Sequence, residues 1–318
     1  MLYQKIRPDN LEDFVGNSAV VDSLRKVVNK AKNNQPHSHA YLFTGTSGCG
    51  KTTLARILAK EFGCQSDNIF EKDIGQLRGI DNVREIAKDA STRSVFGGKK
   101  IYILDECHQM TSQAQNALLK ILEDIPAYCY FVICTTEPQG LLKTIKTRCS
   151  DYEVTRLGRR DVKKLVTSIR DKEKLKVSDD VLEAISLTSS GIPREFVVAL
   201  EKVIDMPEEE AFKLLVTGTS EDTSIFDLCN LLKISPQGRT NNWKKIFKEF
   251  KGLQGEPEGI RRSILAILTK VLERSENEKE IINISGVLDI FSKMTYNGRT
   301  DLYVMLAKAC FGKLNEDN

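Results

Sequence analysis

Gly45-Thr46-Ser47-Gly48-Cys49-Gly50-Lys51-Thr52 reads G-x-x-x-x-G-K-T. The apolar run Tyr41-Leu42-Phe43 leads into it, and Thr53-Leu54-Ala55-Arg56-Ile57-Leu58-Ala59 leads out with helical spacing. Strand, glycine loop and helix in that order are the context that gives this spelling its meaning. Glycines let backbone N–H groups turn inward around phosphate oxygens, and the N-terminus of the helix adds a favourable dipole. Lys51 is expected to reach the β- and γ-phosphates of a nucleoside triphosphate. The Thr52 hydroxyl is expected to hold Mg²⁺.

The surroundings fix the fold class. Short apolar runs at 40–43, 68–70, 100–104, 130–135 and 151–154 alternate with amphipathic helical patterns at 20–32, 52–62, 83–91 and 112–122. Such alternation predicts an α/β domain, a parallel sheet with helices on both faces, over residues 1–155. In sheets of this kind ligands bind beyond the carboxyl ends of the strands, where the glycine loop would sit. From residue 156 strand signals fade. Helical periods at 161–170, 179–188, 193–204 and 208–216 predict a small helical domain, 156–220. The polar run Gly218-Thr219-Ser220-Glu221-Asp222-Thr223-Ser224 suits a linker. Helical periods at 225–233, 242–253, 257–274, 276–293 and 299–311 predict a second helical domain, 221–318.

Composition narrows the class. With 41% hydrophobic and 29% charged residues the chain has the make-up of a soluble globular protein. No apolar run approaches the ~20 residues that span a bilayer, and Met1-Leu2-Tyr3-Gln4-Lys5 lacks the apolar core of a secretory signal. Eight cysteines occur without a C-x-x-C pair. They read as small buried hydrophobes in a reducing, cytoplasmic compartment, and no structural zinc is expected. A net charge of +3 does not by itself announce a nucleic-acid binder.

Ile101-Tyr102-Ile103-Leu104-Asp105-Glu106 is an apolar strand ending in two carboxylates. Coupled to the phosphate loop, Asp105 is expected in the Mg²⁺ shell and Glu106 beside an attacking water, the arrangement for in-line attack on a γ-phosphate. The spelling Asp105-Glu106-Cys107-His108 also matches the D-E-x-H box of helicases. That reading demands a second strand-rich motor domain, whereas 156–318 reads as helix. A further strand, Tyr130-Phe131-Val132-Ile133-Cys134-Thr135-Thr136, ends in two hydroxyls. These either position a water or sense the γ-phosphate, or else cap the turn before Pro138.

Together these residues resemble a clamp-loader ATPase of the AAA+ class. The chain is similar both to the gamma/tau subunit of bacterial DNA polymerase III and to the small subunit of replication factor C. Ile6-Arg7-Pro8, Leu11 and Phe14-Val15-Gly16 resemble the family's opening signature, which implies that Arg7, Pro8 and Val15 lie near the adenine. His39-Ala40-Tyr41-Leu42-Phe43, Gln115-Asn116-Ala117-Leu118-Leu119-Lys120 and Thr135-Thr136-Glu137-Pro138-Gln139 look like gamma/tau. Ala90-Ser91-Thr92-Arg93-Ser94-Val95-Phe96 and Arg78-Gly79-Ile80-Asp81 look like replication factor C.

The resemblance implies an AAA+ domain with a helical lid and a helical collar, binding ATP and Mg²⁺. It implies that Thr147-Arg148-Cys149 carries an arginine finger, Arg148, for a neighbouring subunit's ATP. Gly191-Ile192-Pro193-Arg194 places Arg194 on the chain's own nucleotide, and Thr136 is the sensor on the central strand. Gln115, expected to point off the apolar stripe of its helix, would couple DNA contact to catalysis. Arg78 would contact phosphate or restrain Glu106. Val95-Phe96 would press on the sliding clamp, unless the two residues are simply a locally buried pair. The implied partners are a sliding clamp, other loader subunits in a five-membered ring with several copies of this chain, and primer-template DNA held by its backbone. The four-cysteine zinc module of gamma/tau has no counterpart after Cys64. A branch-migration motor, or a structural subunit that binds nucleotide, are the alternatives.

Overall fold

The computed structural model describes residues 5–76, 78–94, 97–217, 224–293 and 297–312. It divides into two units, residues 1–161 with 191–194, and residues 162–190 with 195–318. The expected linker at 218–224 falls almost wholly outside the described residues, as do Val95 and Phe96.

In the first unit the described residues form a five-stranded sheet. Its strands are β1 (Ala40–Thr44), β2 (Ile69–Asp73), β3 (Lys100–Asp105), β4 (Cys129–Thr135) and β5 (Ser150–Glu153), in the order β2-β3-β4-β1-β5. Every neighbouring pair is parallel. Strands flanked by helices on both faces are apolar along their whole length, and β1 and β4 are buried at every position. Their side chains alternate between two cores, as a two-residue repeat requires. Tyr41, Phe43, Ile101, Ile103, Tyr130 and Val132 face one core, packed against helices α1 (Ser18–Lys32) and α2 (Lys51–Glu61). Leu42, Tyr102, Leu104, Phe131 and Ile133 face the other, against α3 (Ile80–Ser91), α4 (Ser112–Glu123) and α5 (Lys143–Arg148). Phe131 is fully buried, a position where truncation to alanine costs about 3–5 kcal/mol.

Two elements differ from expectation in this unit. Strand β2 runs on through Glu71-Lys72-Asp73 because its backbone keeps pairing with β3 as far as Asp73 opposite Asp105. Its side chains are half-buried or exposed, so hydropathy hides its second half. Helix α5 was not anticipated. It is six residues long with a single buried side chain, Ile145, too short for an amphipathic period to register.

The second unit is helical. Its core gathers Leu228, Ile246, Phe250, Ile264, Leu268, Ile284, Phe291, Leu302 and Leu306. The helix expected over 242–253 is Trp243–Gly252, preceded by a separate turn of helix, Pro236–Asn241. Ser235 caps that turn through the Gly238 N–H, and Pro236 opens it, a start signal that a search for hydrophobic period passes over. Two arginines lie inside this unit. Arg239 donates to the carbonyls of Ala309, Leu232 and Ile234 at 2.7, 2.9 and 2.8 Å. Arg261 pairs with both oxygens of Glu258 and with the Phe291 carbonyl. Both tie helix ends together with polar groups that a hydrophobicity pattern assigns to the surface.

Candidate nucleotide site

The glycine loop connects the carboxyl end of β1 to the N-terminus of α2. At its glycines the backbone takes conformations that favour glycine. Gly45 and Gly48 have φ of 140° and 78°. A methyl group at Gly45 would lie 2.1 Å from the Val154 carbonyl oxygen, and one at Gly48 would lie 2.8 Å from Ile192 Cγ2 and 3.1 Å from Arg194 Cβ. The loop is thus boxed between Val154, the residue after β5, and the segment Gly191–Arg194, which belongs to the same unit. The Arg194 N–H donates to the Gly48 carbonyl at 3.4 Å. On another side Phe14 reaches the loop at Gly50. Arg7, Pro8 and Val15, all half-buried, sit on the same N-terminal segment, which Leu11 anchors in the core.

Lys51 is 5% exposed. Its Nζ donates to the carbonyls of Gly45 at 2.8 Å and Thr46 at 3.1 Å. Both partners are neutral backbone carbonyls, and among the described residues no carboxylate is paired with the ammonium. A buried charge in that condition suits an anionic ligand. Cys49 lies in the same loop, where burial pushes its thiol up against the pull of the Lys51 ammonium.

Thr52 Oγ1 donates to Asp105 Oδ2 at 2.6 Å. The other oxygen of Asp105 accepts from the Glu106 N–H at 3.0 Å. Glu106 itself is in the left-handed region, φ 53°, a conformation seldom adopted by a residue with a β-carbon. It turns the chain sharply off the end of β3. Thr136 Oγ1 donates to Glu106 Oε2 at 3.2 Å. The structure therefore brings Lys51, Thr52, Asp105, Glu106 and Thr136 to the carboxyl ends of β1, β3 and β4. Hydroxyl and carboxylate face each other at one point, a donor set that fits Mg²⁺ carried in by a triphosphate.

Other expected residues lie differently. Gln115 does not point away from the core but is buried. Its Nε2 donates to the carbonyls of Gly140 and Met110, and its Oε1 accepts the Leu142 N–H at 2.8 Å. The amide ties α4 to the turn that leads into α5, which explains a polar residue on an inward face. Arg78 donates through Nε to the Gly75 carbonyl in its own loop at 2.8 Å. Arg148, at the end of α5, donates to Glu123 Oε1 at 2.7 Å and to the Thr144 carbonyl. It is not in the cluster around Lys51 within this chain. His108, singled out earlier only for its place in a rival motif, contacts Thr135 and Glu106. Proximity of an imidazole three residues after a strand was its only sequence signal.

A parallel sheet in this order, with the glycine loop after β1 and adjacent acids after β3, defines the AAA+ class of P-loop proteins. Among solved structures, the Holliday junction branch-migration motor RuvB of Thermotoga maritima aligns with TM-score 0.54 at 21% identity, over 88% of this chain and 91% of that one. A point variant of the same motor gives 0.57 at 21% identity. These likenesses bear on the fold.

Sequence comparison is more specific. Residues 68–157 match the family described as DNA polymerase III, delta subunit. The DNA polymerase III subunit tau of Bacillus subtilis is 31% identical over 73% of this chain and 45% of its own length. The gamma/tau subunit of Mycoplasma pneumoniae is 30% identical over 67% of this chain and 34% of its own. The chain thus spans between a third and a half of these relatives. The replication factor C small subunit of Methanococcus vannielii is 29% identical over 96% of both chains. The chain is related to the clamp-loader AAA+ subunits, both gamma/tau and the replication factor C small subunit. No helix among the described residues is long and apolar enough to cross a membrane.

Proposed function

We propose that this chain is an ATP-hydrolysing motor subunit of a sliding-clamp loader. The observation that carries the reading is the buried Lys51 ammonium, held by carbonyls of the loop, beside the Thr52–Asp105 pair. Lys51 and the loop N–H groups bind and orient the β- and γ-phosphates. Thr52 and Asp105 hold Mg²⁺, which when bound neutralises phosphate charge. Glu106 takes a proton from the attacking water, and Thr136 fixes the carboxylate that does so. The N-terminal segment with Arg7, Pro8 and Val15 covers the adenine, and Arg194 reaches the nucleotide from its place over Gly48.

Arg148 acts on the ATP of a neighbouring subunit, so hydrolysis is completed in a ring. The partners in this reading are further loader subunits, several copies of this chain among five, a sliding clamp, and primer-template DNA contacted along its phosphates. The helical residues 221–318 form the collar of that ring, after a lid over 156–220.

The test is the ATPase rate of the assembled complex with and without clamp and primer-template. Stimulation by the two together is expected. A rate indifferent to both sinks the clamp-loading role and leaves a branch-migration motor or a nucleotide-binding structural subunit.

A further inference from the structure

His108 is the residue that the functional reading leaves unused, although it lies in the middle of the site. Its side chain is 14% exposed. Nδ1 lies 3.1 Å from Thr135 Oγ1 and 3.4 Å from Glu106 Oε2, and Nε2 lies 4.0 Å from Glu137 Oε1. A lone pair on Nδ1 would face the Glu106 carboxylate unfavourably, so the proton belongs on Nδ1, between the Thr135 hydroxyl and the carboxylate oxygen 3.4 Å away. Thr135 is fully buried and its Oγ1 also accepts the Glu137 N–H at 3.1 Å. The imidazole is therefore braced by the end of the central strand, not by solvent. The turn Pro138–Gly140 packs on it from the other side, where a methyl group at Gly140 would lie 3.0 Å from His108 Cβ. The Gly140 carbonyl is the one that Gln115 holds.

We infer that His108 is a positioning residue for Glu106. With Thr136 it pins Oε2 of the carboxylate and leaves Oε1 to face the water. Because the 138–140 turn rests on His108, a movement of that turn changes the aim of the carboxylate. The inference rests on Glu106 being the residue that activates water.

The experiment compares Glu106→Gln, His108→Ala, His108→Gln and Thr135→Val in the full chain, each checked for a wild-type thermal melt. His108→Ala is expected to lower kcat about ten- to a hundredfold, the cost of a misaimed group, with KM within about twofold. His108→Gln, which keeps an N–H near Nδ1, is expected to recover most of the rate, and Thr135→Val to lose rate in the same direction. In a Glu106→Gln background His108→Ala should cost nothing further. Full kcat in His108→Ala, a loss confined to KM, or an undiminished loss in the Glu106→Gln background overturns the inference. Glu106→Gln at wild-type rate overturns it together with the base role of Glu106. An inactive Glu106→Gln beside a fully active His108→Ala overturns the inference alone. Should His108→Ala not fold, imidazole ¹⁵N spectra decide, since the chain has three histidines. Glu106→Gln must shift the His108 signals and leave those of His37 and His39, and an unmoved His108 signal refutes the contact.

Discussion

Thr52 Oγ1 and Asp105 Oδ2 are hydrogen-bonded at 2.6 Å, although one opens the helix after β1 and the other ends β3, with β4 lying between those strands in the sheet. The register of three strands holds that meeting point. Thr52→Val keeps the shape and removes the hydroxyl. It is expected to raise the Mg²⁺ concentration for half-maximal hydrolysis about ten- to a hundredfold, and Asp105→Asn should act in the same direction. Titration of the ATPase with Mg²⁺ at saturating ATP measures both. An unchanged midpoint in either variant contradicts the assignment.

Arg148 and Glu123 form an exposed ion pair, the kind worth about 0–1 kcal/mol. Glu123→Ala should therefore leave the melting temperature within a degree or two. Arg148→Ala should leave nucleotide binding by the lone chain intact and lower hydrolysis in the assembled ring by about 10³. Equal loss of binding and of hydrolysis would place Arg148 in its own subunit's site instead.

Gly48 and Gly63 share a φ of 78°, but only Gly48 has neighbours where a β-carbon would go. Alanine at either position carries backbone strain of about 1–3 kcal/mol. Gly48→Ala adds a collision with Ile192 and Arg194. Nucleotide affinity, followed with a fluorescent ATP analogue, should fall roughly tenfold or more for Gly48→Ala and stay unchanged for Gly63→Ala. Parallel losses would mean that strain at a distance, not the loop's packing, controls binding.

Arg239 is inside the helical unit, where burial lowers its affinity for the proton while three carbonyls hold it charged. Arg239→Ala strands all three acceptors. The expected cost is about 3 kcal/mol or more, read by urea unfolding. Amide exchange should accelerate in helices 224–311 and not in β1, β3 and β4, because units open separately. Uniform acceleration would show that the two units unfold as one.

His39 stacks on Tyr130 with ring centroids 4.6 Å apart and donates Nδ1–H to the Cys129 carbonyl. Burial lowers its pKa, and the bond to Cys129 only partly offsets this. A lowered folded-state pKa means that the unfolded chain takes up the proton first as pH falls below about 6.5. Stability should thus decline as pH drops through that value and level off below the folded-state pKa. In His39→Gln this step should be missing from urea midpoints measured between pH 7.5 and about 5. A step of the same size in the variant would assign it elsewhere.

The sheet and the heart of the site were legible because their signals are local. Unbroken apolar runs mark β1, β3 and β4, and Gly45–Thr52 and Asp105–Glu106 each fall within a few positions of one another. What escaped reading has partners far along the chain. Gln115 looks like a solvent-facing residue until Gly140 and Leu142 arrive beneath it. Arg239 looks like a surface charge until the Ala309 carbonyl closes over it. His108 gains meaning only from Thr135, a strand away. Buried polar groups invert the hydrophobicity code, and only tertiary contact reveals the inversion.

Thr135 and Thr136 are the same amino acid in adjacent places, yet they are not interchangeable. The first holds an imidazole and the second a carboxylate. Parity along β4 assigns these duties, and side-chain chemistry alone does not. Deleting one residue upstream within the strand would slide Thr136 to the place that serves His108 and bring Glu137, an anion, against Glu106. Inserting one would put Cys134, which lacks the hydroxyl, in the place of Thr135 beside His108, and Thr135 in the place of Thr136. A length change of a single residue in 129–135 therefore misassigns both positions at once, so the number of residues in this strand matters as much as their kind.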